Sequence, residues 1–260
     1  MDFTYVPTLD LSAILAFDPV LLFAVLLAAF ITSIIHGGTG IGGGFLMAIV
    51  LAPLIGVEPV VPVMAVALTI SGIARVFFNR DALSWPAYRA VFVTMVPGVV
   101  VGALIYSMLN ATVIAILLGV TILASVPLRH WAKRREIRAG PRTLMGAGSV
   151  YGTVSGASIG AGMLLIPFLT GFGLNRREFV GTLAMIALTM NATRTAVFGG
   201  TDLLGDGWLA LGILCGLATL PGNWIGQKVL RGLGEGRHNL ALDVLTVFGG
   251  LNFFRIALTG

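Results

Sequence analysis

A glycine-rich break that occurs twice constrains this chain more than any other feature: Ile41-Gly42-Gly43-Gly44 and, 118 residues later, Ile159-Gly160-Ala161-Gly162. Each break lies between apolar stretches too short to cross a bilayer alone. Interruptions of this kind at corresponding places in two halves are the sequence mark of a binding site at membrane depth. The architecture predicted is therefore an all-α integral membrane protein, because a spanning chain in lipid must satisfy its backbone within helices or a closed barrel.

Composition supports that solvent. The chain is 57% hydrophobic and 10% charged, where a soluble domain carries about 25% charged residues, and its mean hydropathy is +0.98. The net charge of +5 does not point to nucleic acid, because the basic residues cluster in loops beside apolar segments, where they set orientation. The single cysteine, Cys215, lies inside an apolar run and reads as a small core residue. Asp2, Asp10 and Asp18 precede any Lys or Arg, so the basic start of a cleavable signal peptide is missing and the first apolar stretch is expected to remain in the mature protein.

Five apolar segments, a basic loop and five more follow in order. The first five run over roughly 19–35, 44–56, 60–78, 87–108 and 111–127, and the second five over 144–156, 161–173, 178–198, 207–230 and 239–258. This gives a first repeat at 1–127, a basic cytoplasmic linker at 128–142 and a second, inverted repeat at 143–260. A helix needs about 20 apolar residues to span the hydrocarbon core, so each half is expected to hold one re-entrant helical hairpin and three spanning helices. Two further landmarks recur in the same order. Arg75 with Phe78 returns as Arg194 with Phe198, and Pro97-Gly98 with Gly102 returns as Pro221-Gly222 with Gly226.

The loop charges choose between parallel and inverted copies. With residues 129–142 in the cytoplasm and each short pair entering and returning, Arg80, Arg89, Arg176, Arg177, Lys228, Arg231 and Arg237 are also cytoplasmic, while Asp2, Asp10, Asp18, Glu58, Asp202 and Asp206 lie outside. If each short pair were one broken span, five of those cations would lie outside, against the positive-inside rule. The halves are therefore expected to be inverted, with hairpin tips at 36–44 and 155–162 meeting at the midplane. Helices starting at Gly44 and Gly162 would aim free N–H groups and positive dipole ends into a cavity between the tips, which favours an anion.

The residues expected to bind that anion are His36, Gly38, Thr39, Gly42, Gly43, Gly44 and Arg75 in the first half, and Ser155, Ser158, Gly160, Gly162, Asn191 and Arg194 in the second. Two readings stay open for Arg75 and Arg194, which fall near segment ends, where arginines also snorkel to the interface. His36 could couple transport to protons or serve as a hydrogen-bonded structural histidine. Thr69, Ser71 and Thr189 are further polar groups at depth, while Asn223, Trp224 and Gln227 share one face beside Pro221. Trp85 and Trp208 suit interfacial anchoring. Gly38-Thr39-Gly40-Ile41-Gly42-Gly43 matches a dinucleotide fingerprint, but the strand and soluble βαβ unit that motif requires are implausible in this composition. No cofactor and no metal are expected.

The run Gly40-Ile41-Gly42-Gly43-Gly44-Phe45-Leu46, its second copy from Gly160 to Pro167 and the two Pro-Gly-x3-Gly elements together resemble the TauE/SafE sulfite exporter family over roughly residues 20–258. The resemblance implies transport of sulfite, sulfonates or related small anions across a bacterial inner membrane, in either direction. It departs at Ile49-Val50-Leu51, since the second copy has Pro167 close to its glycines and the first has none before Pro53. A saturable transporter is therefore expected rather than an enzyme, with a small anion and membrane lipid as partners, no nucleic acid, and a homodimer as one open assembly. An anion channel built on the same tips is the alternative. An intramembrane hydrolase using Ser155 or Ser158 with His36 is a further one, but it lacks a nucleophile motif.

Overall fold

The computed structural model describes residues 17–39, 43–134, 138–205, 207–229 and 235–259. Among them every regular element is helical: α1 (Pro19–Thr39), α2 (Gly43–Ile55), α3 (Val57–Asn79), α4 (Trp85–Tyr106), α5 (Ala111–Arg134), α6 (Pro141–Ala157), α7 (Ile166–Gly171), α8 (Arg176–Gly199), α9 (Trp208–Val229) and α10 (Glu235–Thr259), with short 3-10 turns at Arg80–Ala82, Ala161–Leu164 and Asp202–Leu204. The helices start where the chain supplies caps. Asp18 accepts from Val20 N–H at 2.7 Å ahead of α1, and Asn110 accepts from Val113 N–H at 3.0 Å ahead of α5. Asn175 and Glu178 form a reciprocal capping box that fixes the start of α8.

Among the described residues four helices are long and apolar enough to cross a membrane: α3, α4, α5 over Ala111–Leu128, and α9. Three of the four, α3, α4 and α5, lie before residue 135. In the second half, α8 has the length, but Asn191 and Arg194 interrupt its apolar run, and α10 is apolar over Thr246–Leu258. Large apolar side chains stay exposed along the outside, among them Val93, Val101, Val120 and Phe248, as expected when lipid is the solvent.

Contacts between helices cross from one half to the other. The fourth helix of each half, α4 or α9, packs along the first helix of the other, α6 or α1; α3 crosses α8, and α5 crosses α10. Glycine makes the first pair of contacts possible. A Cβ on Gly98 would come within 2.9 Å of Ser149 O, and one on Gly222 within 2.6 Å of Phe30 O. Gly102 and Gly226 lie as closely against Thr153 O and Ile34 O. The recurring Pro-Gly-x3-Gly elements are therefore seats that let backbones approach, and Thr94 Oγ1 adds a 2.6 Å hydrogen bond to Met145 O across one of them. Gly98→Ala should accordingly cost about 1–3 kcal/mol, the usual penalty for overfilling a tight contact, whereas Gly146→Ala, with nothing within 4 Å of its Cβ, should leave the unfolding temperature in detergent unchanged.

The breaks are narrower than the sequence predicts. α1 runs through Thr39 and α2 starts at Gly43, so His36, Gly38 and Thr39 belong to the last turn of α1, and only residues 40–42 intervene. Likewise α6 continues to Ala157, which places Ser155 inside the helix. The two copies then diverge. No long helix starts at Gly162: a 3-10 turn follows the second break and a six-residue α7 begins at Ile166. Pro167 explains the difference, because its ring would clash with the carbonyl four residues back and it has no N–H to donate. In the first copy Pro53 lies in the last turn of α2, so α2 runs unbroken for 13 residues.

Candidate functional site

Two buried clusters divide the interior. One joins α1, α2 and α3 with residues of α5, α9 and α10, and the other joins α4, α6, α7 and α8. A cavity of about 130 Å³ opens at their seam, walled by the start of α2, by α3, by α6 with the break that follows it, and by α8. A single water needs about 10–15 Å³, so the space suits a small solute rather than a sugar or peptide.

Arg194 dominates the wall. Its side chain is 2% exposed, and its guanidinium reaches from α8 to the end of α6. Nη1 donates to Ser155 O at 2.9 Å and to Ser158 O at 3.2 Å, while Nη2 donates to Asn191 Oδ1 at 3.0 Å. Those two carbonyls end a helix and would otherwise lack partners. Asn191 is held in turn by its Nδ2, which donates to Ala187 O at 2.8 Å. Arg194 therefore fixes the second break in place and is not an interface anchor, which corrects one of the two readings of its position near a segment end.

Among the described residues no carboxylate pairs with Arg194, and its buried Nε has no hydrogen-bond partner. The end of α6 offers roughly half a negative charge through the helix dipole. That offsets only part of the guanidinium charge beside the cavity, and burying a charge is costly. Arg75 lines the same cavity from α3, and Gly44 and Phe45 bring the N-terminal turn of α2 to it.

The backbone of the second break is shaped to match. Gly160 has φ +98, a left-handed conformation in which a side chain would be strained. Ser158 Oγ donates to Thr121 Oγ1 at 2.8 Å, tying the break to α5. A Cβ on Gly162 would meet nothing within 4 Å, so this glycine leaves bare backbone facing open space.

The structure thus brings Gly44, Arg75, Ser155, Ser158, Gly160, Gly162, Asn191 and Arg194 to one cavity. Gly43 is the first residue of α2. Gly42 lies outside the described residues, as do the side chains of His36 and Thr39. Thr69 and Thr189 are not in the wall: their hydroxyls donate to Ala65 O and Met185 O within their own helices. Tyr151 is in the wall, and the sequence reading passed over it. Its signal was its position one helical turn before Ser155, on the same face of α6. Among the described residues no three His, Cys, Asp or Glu side chains converge on a metal-sized site.

A family model described as Sulfite exporter TauE/SafE matches residues 25–253. No curated protein and no solved structure matches the chain.

Proposed function

The chain belongs to the TauE/SafE sulfite exporter family, and from that premise we propose that it is a secondary transporter carrying sulfite, a sulfonate or a similar small sulfur anion by alternating access through the cavity at Arg194. Family membership makes it a multi-pass membrane transporter and not an enzyme, which removes the hydrolase alternative. The observation that carries the anion assignment is the buried Arg194, in the cavity wall with no carboxylate partner among the described residues. A sulfur oxyanion supplies the missing charge and acceptor oxygens for Arg75 and the bare backbone at Gly162.

The exchange of contacts between halves, α4 with α6 matched by α9 with α1, supports a duplicated repeat, and the loop charges favour its inversion. The family points to a bacterial inner membrane, and the loop charges to a linker at 128–142 in the cytoplasm. Reporter fusions after Arg135 and at Gly260 are expected to report opposite sides. The same side for both would end the inverted arrangement.

Reconstituted in liposomes, the protein should take up labelled sulfite with saturation, and unlabelled sulfite inside should accelerate that uptake. Flux that neither saturates nor exchanges would assign a channel instead. Methanesulfonate should raise the unfolding temperature more than acetate, because three acceptor oxygens meet converging donors where the carboxylate has two. Stabilisation by choline or sodium alone would overturn the anion assignment.

A further inference from the structure

A second pocket of about 240 Å³ lies on the other side of Arg75, walled by Arg75 and Phe78 of α3 and by Asn223, Trp224 and Lys228 of α9. Arg75 belongs to the walls of both spaces. A polar pair also joins the two walls: Asn223 Nδ2 donates at 2.7 Å to Oγ of Ser71, which faces the central cavity.

One feature of this pocket, beside Arg75, asks for a ligand with negative charge. Lys228 Nζ stands 3.7 Å from the centre of the Trp224 ring, so an aromatic face holds the ammonium where no carboxylate does among the described residues. Asn223 is 6% exposed, yet its Oδ1 has no hydrogen-bond partner. A half-turn of that amide would let the Ser71 hydroxyl donate to Oδ1, so the Ser71–Asn223 pair accommodates either orientation.

The pocket also has no polar counterpart in the other half. In the register set by Pro97 and Pro221, the positions of Asn223, Trp224 and Lys228 are held on α4 by Val99, Val100 and Leu104. On that side Phe198 is fully buried against Tyr106, with ring centres 5.4 Å apart, whereas Phe78 is 70% exposed. The corresponding positions are therefore apolar on one side of the cavity and carry Asn223, Trp224 and Lys228 on the other.

We propose that the pocket of Arg75, Asn223, Trp224 and Lys228 is a second oxyanion subsite, the antechamber from which an anion reaches the central cavity past the partition of Arg75 and the Ser71–Asn223 pair. The inference rests on the transport reading only for the identity of the anion. A lipid headgroup phosphate offers the same chemistry as a free sulfur oxyanion, and the test separates the two.

Calorimetric titration of lipid-free, detergent-purified protein with sodium sulfite should show two sites per chain. Lys228→Gln and Asn223→Leu should abolish the weaker site and leave the tighter one intact. In liposomes of neutral lipid, Lys228→Gln should raise KM about fivefold with kcat nearly unchanged, the scale of one exposed charge. One site in the wild type, with Lys228→Gln indistinguishable from it in both measurements, overturns the subsite. If the weaker site vanishes in phosphatidylglycerol nanodiscs but persists in phosphatidylcholine ones, and KM ignores Lys228→Gln, the pocket holds a lipid headgroup and its place on the transport path is overturned. A wild type that neither binds nor moves sulfite overturns the transport reading, and the subsite falls with it.

Discussion

Arg194→Gln is expected to weaken sulfite binding at least about 100-fold, equivalent to about 2.7 kcal/mol. Two losses combine in that figure. The buried positive charge beside the cavity disappears, and the second break is released, because a glutamine amide cannot reach Ser155 O, Ser158 O and Asn191 Oδ1 together as the guanidinium does. Each buried acceptor left open costs about 1–3 kcal/mol, so the unfolding temperature should fall as well. Arg194→Lys separates the two contributions: it keeps the charge but gives up the planar fork. It should bind better than Arg194→Gln and worse than the wild type. Wild-type affinity in a monodisperse Arg194→Gln protein would place the anion elsewhere, and wild-type affinity in Arg194→Lys would remove any role for the clamp.

Gly162→Val should abolish sulfite binding while the protein folds normally. The added side chain meets no atom within 4 Å at its Cβ and projects into the space the anion would occupy. Gly160→Val supplies the contrast, since a β-branched residue at φ +98 is strained by about 1–3 kcal/mol whatever room surrounds it. The neighbouring substitutions should therefore fail differently, one in affinity at an unchanged unfolding temperature and the other in stability. The measurement is ligand affinity beside thermal unfolding for each purified variant. Full affinity in Gly162→Val would mean that this break serves only to turn the chain.

The limits of the apolar segments were legible because glycine, proline and charge interrupt an otherwise uniform hydrophobic text. The glycine breaks were likewise visible, as were eight of the residues that now line the cavity. The role of Arg194 was not. Counted along the sequence it falls four residues before the end of an apolar run, which is where arginines reach for the interface. What buries it is the end of α6, some 39 residues earlier in the chain, and periodicity within one helix says nothing about which neighbour stops beside it. The difference between the breaks was half legible: Pro167 was noted as a departure between the copies, but its effect, a 3-10 turn in place of a helix start, depends on a clash with its own preceding turn. Tyr151 was missed because its signal is relative: it lies one helical turn before Ser155, and that spacing matters only once Ser155 is known to face the cavity.

The pairing of α1 with α9 also bears on how the chain is made. Gly222 and Gly226 receive the backbone of Phe30 and Ile34, yet on the order of 10–40 s of translation separates the two ends of that contact at about 5–20 residues per second. During that interval the first helix has entered the membrane with its seat not yet synthesised, and its exposed carbonyl ridge must be tolerated by lipid or by the insertion machinery. α4 meets α6 within a few seconds of chain growth. The ribosome therefore delivers one half of the interlock early and leaves the other open until the last two helices emerge, so truncation anywhere before Gly226 strands the first helix without the partner it was shaped to fit.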